Sequence, residues 1–238
     1  MKKIVLTDEL KSKLEIYQDS RKETLFKIRF PVANISLLRS IIKVKIFTSL
    51  TEIDDYLIVK ASKIESFENF VKEEKKKTSS ENLRHSICLN IIYFLSKQIQ
   101  YLLNVESKCF YKIDPKNIVV IDNKFIYVSS DDLMEIEDKK LQINKIIDKN
   151  SGFISPELLK IKKIPEEISY KTIYYSLGIF IISILFKSKI DDLDLYNLNN
   201  SSREKILSLC EGIKESKLYY FLGRCLDNNI ENRNLLYL

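Results

Sequence analysis

Glycine is scarce in this chain and absent from most of it. The four glycines are Gly152, Gly178, Gly212 and Gly223, so none precedes residue 152. Glycine lets backbone N–H groups close around a phosphate because no Cβ intervenes. The first 151 residues therefore hold no glycine-rich phosphate cradle. Histidine occurs once, as His85, inside a helical pattern where a packing or surface role is expected. The four cysteines, Cys88, Cys109, Cys210 and Cys225, show no short paired spacing. Together these scarcities argue against a structural zinc site, a histidine-based triad and a disulfide framework, and reduced, buried thiols are expected. The uncharged run 172–186 has 15 residues, where a bilayer span needs about 20. A helix buried in a protein core is the expectation there. The N-terminus, "MKKIVLTDELKSK", is basic but has no apolar stretch long enough for a signal peptide. An intracellular, soluble chain without a membrane span is expected.

What is present is the composition of a globular protein: 238 residues, 45% hydrophobic and 30% charged, with a net charge of +6. Lysines alternate with acids, as in "VKEEKKK" (71–77), which reads as solvated surface and gives no strong nucleic-acid signal. Residues 1–61 favour strands: "IVL" (4–6), "TLFKIRF" (24–30), "IIKVKIFTSL" (41–50) and "DYLIVKA" (55–61), with a helical candidate at "NISLLRSI" (34–41). A short amphipathic helix is predicted at 65–74. A long one at 79–104 carries Leu83, Ile87, Ile91, Phe94, Leu95, Ile99 and Leu102 at helical spacing behind a Ser cap. "NIVVIDNKFIYVS" (117–129) predicts a hairpin turning at Asp122–Asn123. Beyond about Glu135 the chain is expected to be helical to its end.

Four ordered motifs give this pattern a likeness. "DYLIVKASKIESFENFV" resembles the last small-lobe strand, hinge and first large-lobe helix of a eukaryotic-type protein kinase. "GFISPELL" (152–159) is similar to the A-P-E motif, with Ser155, Pro156 and Glu157. "SYKTIYYSLGIFIISILF" (169–186) is similar to the buried central helix, with Gly178. "LGRCLDNNIENRNLL" (222–236) resembles the last helix region, with Arg233. The resemblance implies an α+β, bilobal kinase-like fold, with a reduced β-rich N-lobe (1–61) and a mainly helical C-lobe (62–238). It also implies a buried ion pair between Glu157 and Arg233 that ties the activation segment (133–152) to the floor of the large lobe.

The same resemblance locates what phosphoryl transfer would need. Lys27, in a strand, stands where a phosphate-gripping lysine is expected, but no acidic residue lies between Glu23 and Glu52 to position it. In "FYKIDPKNIVV" (110–120), Pro115 and Asn117 match the pattern H-R-D-x-x-x-x-N. That alignment sets Lys112 in place of the catalytic Asp and Tyr111 in place of the Arg. A lysine ammonium at neutral pH cannot accept a hydroxyl proton. Asp114 falls two residues too late. Asn117 remains as a nucleotide or metal candidate. The D-F-G aspartate maps to Ser129 or Ser130, or to Asp131 if the hairpin is one residue longer, with Asp132 and Leu133 then replacing Phe and Gly. The central-helix aspartate corresponds to Ile173. Ser151 is the activation segment's only hydroxyl residue.

The expectation is a catalytically impaired pseudokinase acting as a protein-binding scaffold or regulator, with a protein partner and no cofactor. Two alternatives stand beside it. One is a divergent active Ser/Thr kinase using ATP and Mg through Asp114 or Asp131. The other is a helical adaptor with a small β subdomain.

Overall fold

The computed structural model describes residues 2–4, 6–30, 35–43, 50–53, 56–77, 81–149, 152–186 and 200–236. The chain is α+β, and all strand pairing among the described residues is antiparallel. It divides into two compact units. Unit 1 takes Met1–Ser80, Tyr93–Glu106 and Asp114–Asp132; unit 2 takes Glu81–Ile92, Ser107–Ile113 and Leu133–Leu238. Unit 1 thus draws on both sides of the 61/62 boundary that the lobe division uses.

In unit 1, strands β1 (Lys2–Ile4), β2 (Glu15–Gln18), β3 (Leu25–Arg29), β4 (Leu50–Ile53) and β5 (Tyr56–Lys60) form one sheet in the order β1-β2-β3-β5-β4. Alternation sends Phe26, Ile28, Leu57 and Val59 to one buried face. That face joins a single apolar cluster with Val119, Ile121, Ile126 and Val128 of the hairpin β9 (Ile118–Ile121) and β10 (Lys124–Tyr127). Leu10, of the short helix α1 (Asp8–Lys11), and Leu14 complete the cluster. The hairpin turns through Asp122 and Asn123 at φ 46° and 62°, a left-handed pair that suits its right-handed twist. The Asp122 carboxylate accepts the backbone N–H groups of Ser62 and Lys63 at 2.9–3.0 Å. Strand β6 (Ile64–Ser66) adds to the hairpin's edge beside β9. Helix α3 (Phe67–Lys77) sets Phe67 and Phe70 edge-on against Phe125. Helix α2 (Ile35–Lys43) buries Leu37, Ser40 and Ile41.

Helix α4 (Glu81–Val105) runs through both units and buries Cys88, Ile91, Ile92, Leu95, Ile99 and Leu102 at helical spacing. Its expected Ser cap lies outside the described residues. In unit 2, a sheet of order β14-β12-β11-β7 is built from β7 (Lys108–Phe110), β11 (Leu133–Glu137), β12 (Lys140–Ile143) and β14 (Glu166–Ser169). A two-stranded pair joins β8 (Lys112–Ile113) to β13 (Phe153–Ile154). Helices α5 (Pro156–Leu159), α6 (Thr172–Leu185), α7 (Asn200–Leu209) and α8 (Lys217–Cys225) complete the unit.

Three expectations are corrected. The chain beyond Glu135 is not helical throughout: 133–143 folds as a β hairpin, turning at Asp138–Lys139 with φ 48° and 62°, and β13 and β14 follow. Left-handed Asp and Lys at the tip, with Leu141 and Ile143 alternating inward, outweigh the charged, helix-favouring composition. Residues 41–43 are the last turn of α2; the strand expected over 41–50 starts at Leu50, and 44–49 lie outside the described residues. The first strand is Lys2–Ile4, earlier than the 4–6 expected.

Helix α6 is buried on nearly all sides, as a run without charge requires. No helix among the described residues is long and apolar enough to cross a membrane. Gly178 lies where α6 meets α8: a Cβ there would stand 2.9 Å from the Cβ of Cys225 and 3.3 Å from Leu226 Cδ2. Gly178→Ala is expected to lower unfolding stability by about 1–3 kcal/mol through overpacking, read by urea denaturation. Cys225→Ala should give no relief, because the clashing Cβ remains.

Candidate functional site

The polar centre of unit 1 forms around the turn that follows Ile113. Pro115 opens a 3-10 turn, Pro115–Asn117, and its fixed φ suits a first helical position. The buried Asp114 caps this turn, its Oδ1 accepting the N–H of Lys116 at 3.0 Å. Asn117 closes it by donating its backbone N–H to Asp114 O at 2.9 Å, and then enters β9.

Tyr127, at the end of β10, is fully buried and linked on every side. Gln98 of α4 accepts its backbone N–H through Oε1 (3.0 Å) and donates Nε2 to its carbonyl (2.8 Å). The same Nε2 donates to Ser40 Oγ of α2 at 3.2 Å. The Tyr127 hydroxyl oxygen accepts the Asp114 N–H at 3.1 Å and donates to Asp132 Oδ2 at 2.7 Å. Asn117 Nδ2 donates to that same carboxylate oxygen at 3.0 Å. The buried centre of unit 1 is therefore Asp132, gripped by Asn117 and Tyr127. Burial first, and then the charge of Asp132, hold the Tyr127 phenol well above its ordinary value of 10.0.

Asp131, the residue the sequence favoured as a metal ligand, faces outward with its side chain 72% exposed and pairs with Lys13. Spacing alone could not choose between adjacent carboxylates; facing the Asn117 amide is what distinguishes Asp132. Tyr127 and Gln98 gave no sequence signal beyond their places on an amphipathic strand and helix. Lys27 lies on the sheet face opposite Phe26 and Ile28. Among the described residues it makes no ion pair, and its ammonium sits 6.0 Å from the centroid of the Tyr56 ring.

Magnesium requires oxygen ligands, commonly one or two carboxylates together with phosphate oxygens. Asp132 Oδ2 is already held by two donors, and the Asn117 amide meets it through N–H rather than oxygen. Asp131 turns to Lys13. Among the described residues no three His, Cys, Asp or Glu side chains converge as a metal site. Among the described residues, Asp132 and Asn117 are thus engaged with each other and Asp131 with Lys13.

Unit 2 holds its own charges inside. Lys112 on β8 is buried and paired with Asp148 Oδ2 at 2.9 Å. Its ammonium is thus committed to a carboxylate, the opposite of a proton-accepting base. Arg233 is fully buried and makes a two-pronged contact with Glu157, Nη2–Oε1 at 2.5 Å and Nη1–Oε2 at 3.3 Å. Its Nε donates to Asp227 O at 2.8 Å, and its guanidinium lies 4.9 Å from the Tyr175 ring centroid. Glu157 reaches it from α5, whose first position is Pro156. Ile173 is buried on α6, and His85 is half-buried on α4. The expectation about Ser151 falls outside the described residues. All four cysteines are free and buried, and burial raises each thiol, that of Cys210 to about 12.

Glu157→Gln removes the countercharge of a buried guanidinium and is expected to cost about 3–5 kcal/mol, measured by chemical denaturation. Alkaline pH gives a second outcome. Tyr127 and the buried thiols keep their protons in the folded state to higher pH than in the unfolded chain. Stability should therefore fall as pH rises from about 9 through 10 and beyond. Tyr127→Phe should make that fall shallower above pH 10, read as the pH dependence of the urea midpoint.

No protein-family model and no curated protein sequence matches the chain.

Proposed function

We propose that this chain is a degenerate protein-kinase-like protein, a pseudokinase, which acts by binding another protein and does not transfer phosphate. In this reading its two lobes are residues 1–61 and 62–238. The observation that carries it lies in unit 1. A bound nucleotide base needs a concave pocket. Here Leu14, Ile28, Phe30, Leu57 and Val59 meet Val119, Ile121, Ile126 and Val128 directly, and the void left among them is about 10 Å³. That is about the space one water needs.

Three further features support the reading. The chain has no glycine before residue 152. Lys112, at the position of the catalytic base, is buried against Asp148. The Glu157–Arg233 pair, a packing feature, persists. One observation favours the active-kinase alternative: Asn117 touches a carboxylate, Asp132, as the metal-binding Asn and Asp of a kinase would. The strands of unit 2 speak against the helical adaptor.

A thermal-shift titration with ATP, with and without Mg²⁺ or Mn²⁺, separates these readings. A ligand at 100 times its Kd adds about 2.7 kcal/mol, which in a chain of this size moves the midpoint by roughly 5–10 °C. The expected outcome is no shift under any condition. A metal-dependent shift that disappears in Asp132→Ala, together with phosphate transfer, overturns the proposal.

A further inference from the structure

We infer that unit 2 carries a docking face for an anionic lipid surface, formed by two loops lying side by side, residues 144–149 and 159–165. The inference does not depend on a kinase-like fold and stands if that reading fails. The pairing of β12 with β14 sets Ile143 opposite Glu166, so the chain leaving β12 runs beside the chain entering β14. At the other end, the Lys149 ammonium donates to the carbonyl oxygens of Leu159 (2.8 Å) and Ile161 (3.0 Å). The two loops are thus held together at both ends.

Lys145, Lys149, Lys160, Lys162 and Lys163 are all exposed on this pair of loops. The two loops contain these five lysines against one carboxylate, Asp148. Asp148, half-exposed, pairs with the buried Lys112. At the border, Glu167 pairs with Lys140, and Glu166 is exposed. The two loops therefore carry an excess of exposed positive charge. Two aliphatic side chains of these loops are also exposed: Ile146, 88%, and Ile164, 44%.

This combination selects among polyanions. A side chain as exposed as Ile146 offers a partner no groove; it must itself be received. A bilayer interface takes in aliphatic side chains while lipid phosphates meet lysines whose stems lie along the apolar boundary. Base-specific or single-strand readout of nucleic acid would add arginine forks or stacked aromatic rings to such lysines, and neither loop contains Arg, Phe, Tyr or Trp.

The test is co-sedimentation of the full chain with phosphatidylcholine vesicles, with and without phosphatidylserine, at low and high salt. Binding is expected only with phosphatidylserine and should fade at high salt. The combined variant Lys160→Gln, Lys162→Gln, Lys163→Gln should bind about tenfold more weakly or worse. Ile146→Ser should weaken binding severalfold while keeping its salt dependence. The control variant Lys22→Gln, Lys60→Gln, Lys72→Gln, at exposed sites of unit 1, should bind as the parent does. All three variants change exposed side chains, and an unchanged thermal midpoint verifies their fold. Equal binding to both vesicle types overturns the inference, as does parental binding by the 160/162/163 variant or equal loss in the control. Capture of polyglutamate or single-stranded DNA without capture of vesicles assigns the face to another polyanion and overturns it too.

Discussion

A carboxylate taken out of water must find hydrogen-bond donors or cost several kcal/mol. In unit 1 that demand falls on Asp132. Its donors are Asn117, from the turn before β9, and Tyr127, from the end of β10. Tyr127 in turn is fixed by Gln98 of α4, which also reaches Ser40 of α2. One charge thus sets the relative positions of a turn, a hairpin and two helices within the unit. The apolar cluster around them supplies most of the burial, but it has no directional preference of its own. The hydrogen bonds give the arrangement its unique geometry.

Unit 2 meets the same constraint with the opposite sign. Arg233 and Lys112 are cations without access to water, and Glu157 and Asp148 answer them. Arg233 uses the planar fork of its guanidinium for two contacts with one carboxylate, a geometry lysine cannot supply. Lys112 and Asp114 stand two residues apart in the chain, yet each is satisfied inside its own unit: one by an ion pair, the other by capping a turn. Polar groups near the turn are thus engaged in holding the fold.

Much of this was legible in the sequence where local rules decide the outcome. The uncharged run of α6, the periodic apolar stripe of α4 and the Asp122–Asn123 turn each follow from short-range chemistry. Glu157 and Arg233, named from their motifs, are brought together by the fold. What could not be read was set by partners distant in sequence. The segment 133–143 carries a charge pattern compatible with helix, and its strands exist because β7 and β14 lie on either side. Asp131 and Asp132 are chemically identical neighbours, and only the direction of the backbone leaving β10 decides which one faces Asn117. The burial of Leu10 and Leu14 in the unit 1 cluster could not be foreseen from so short a helix and the turn after it.

The clamp at Asp122 has a mechanical consequence. Its carboxylate holds two successive amides, Ser62 and Lys63, in the stretch that joins β5 to β6. Any rotation of the backbone at that connector must first break charge-assisted bonds. The connector between β5 and β6 is thereby tied to the tip of the β9–β10 hairpin within unit 1.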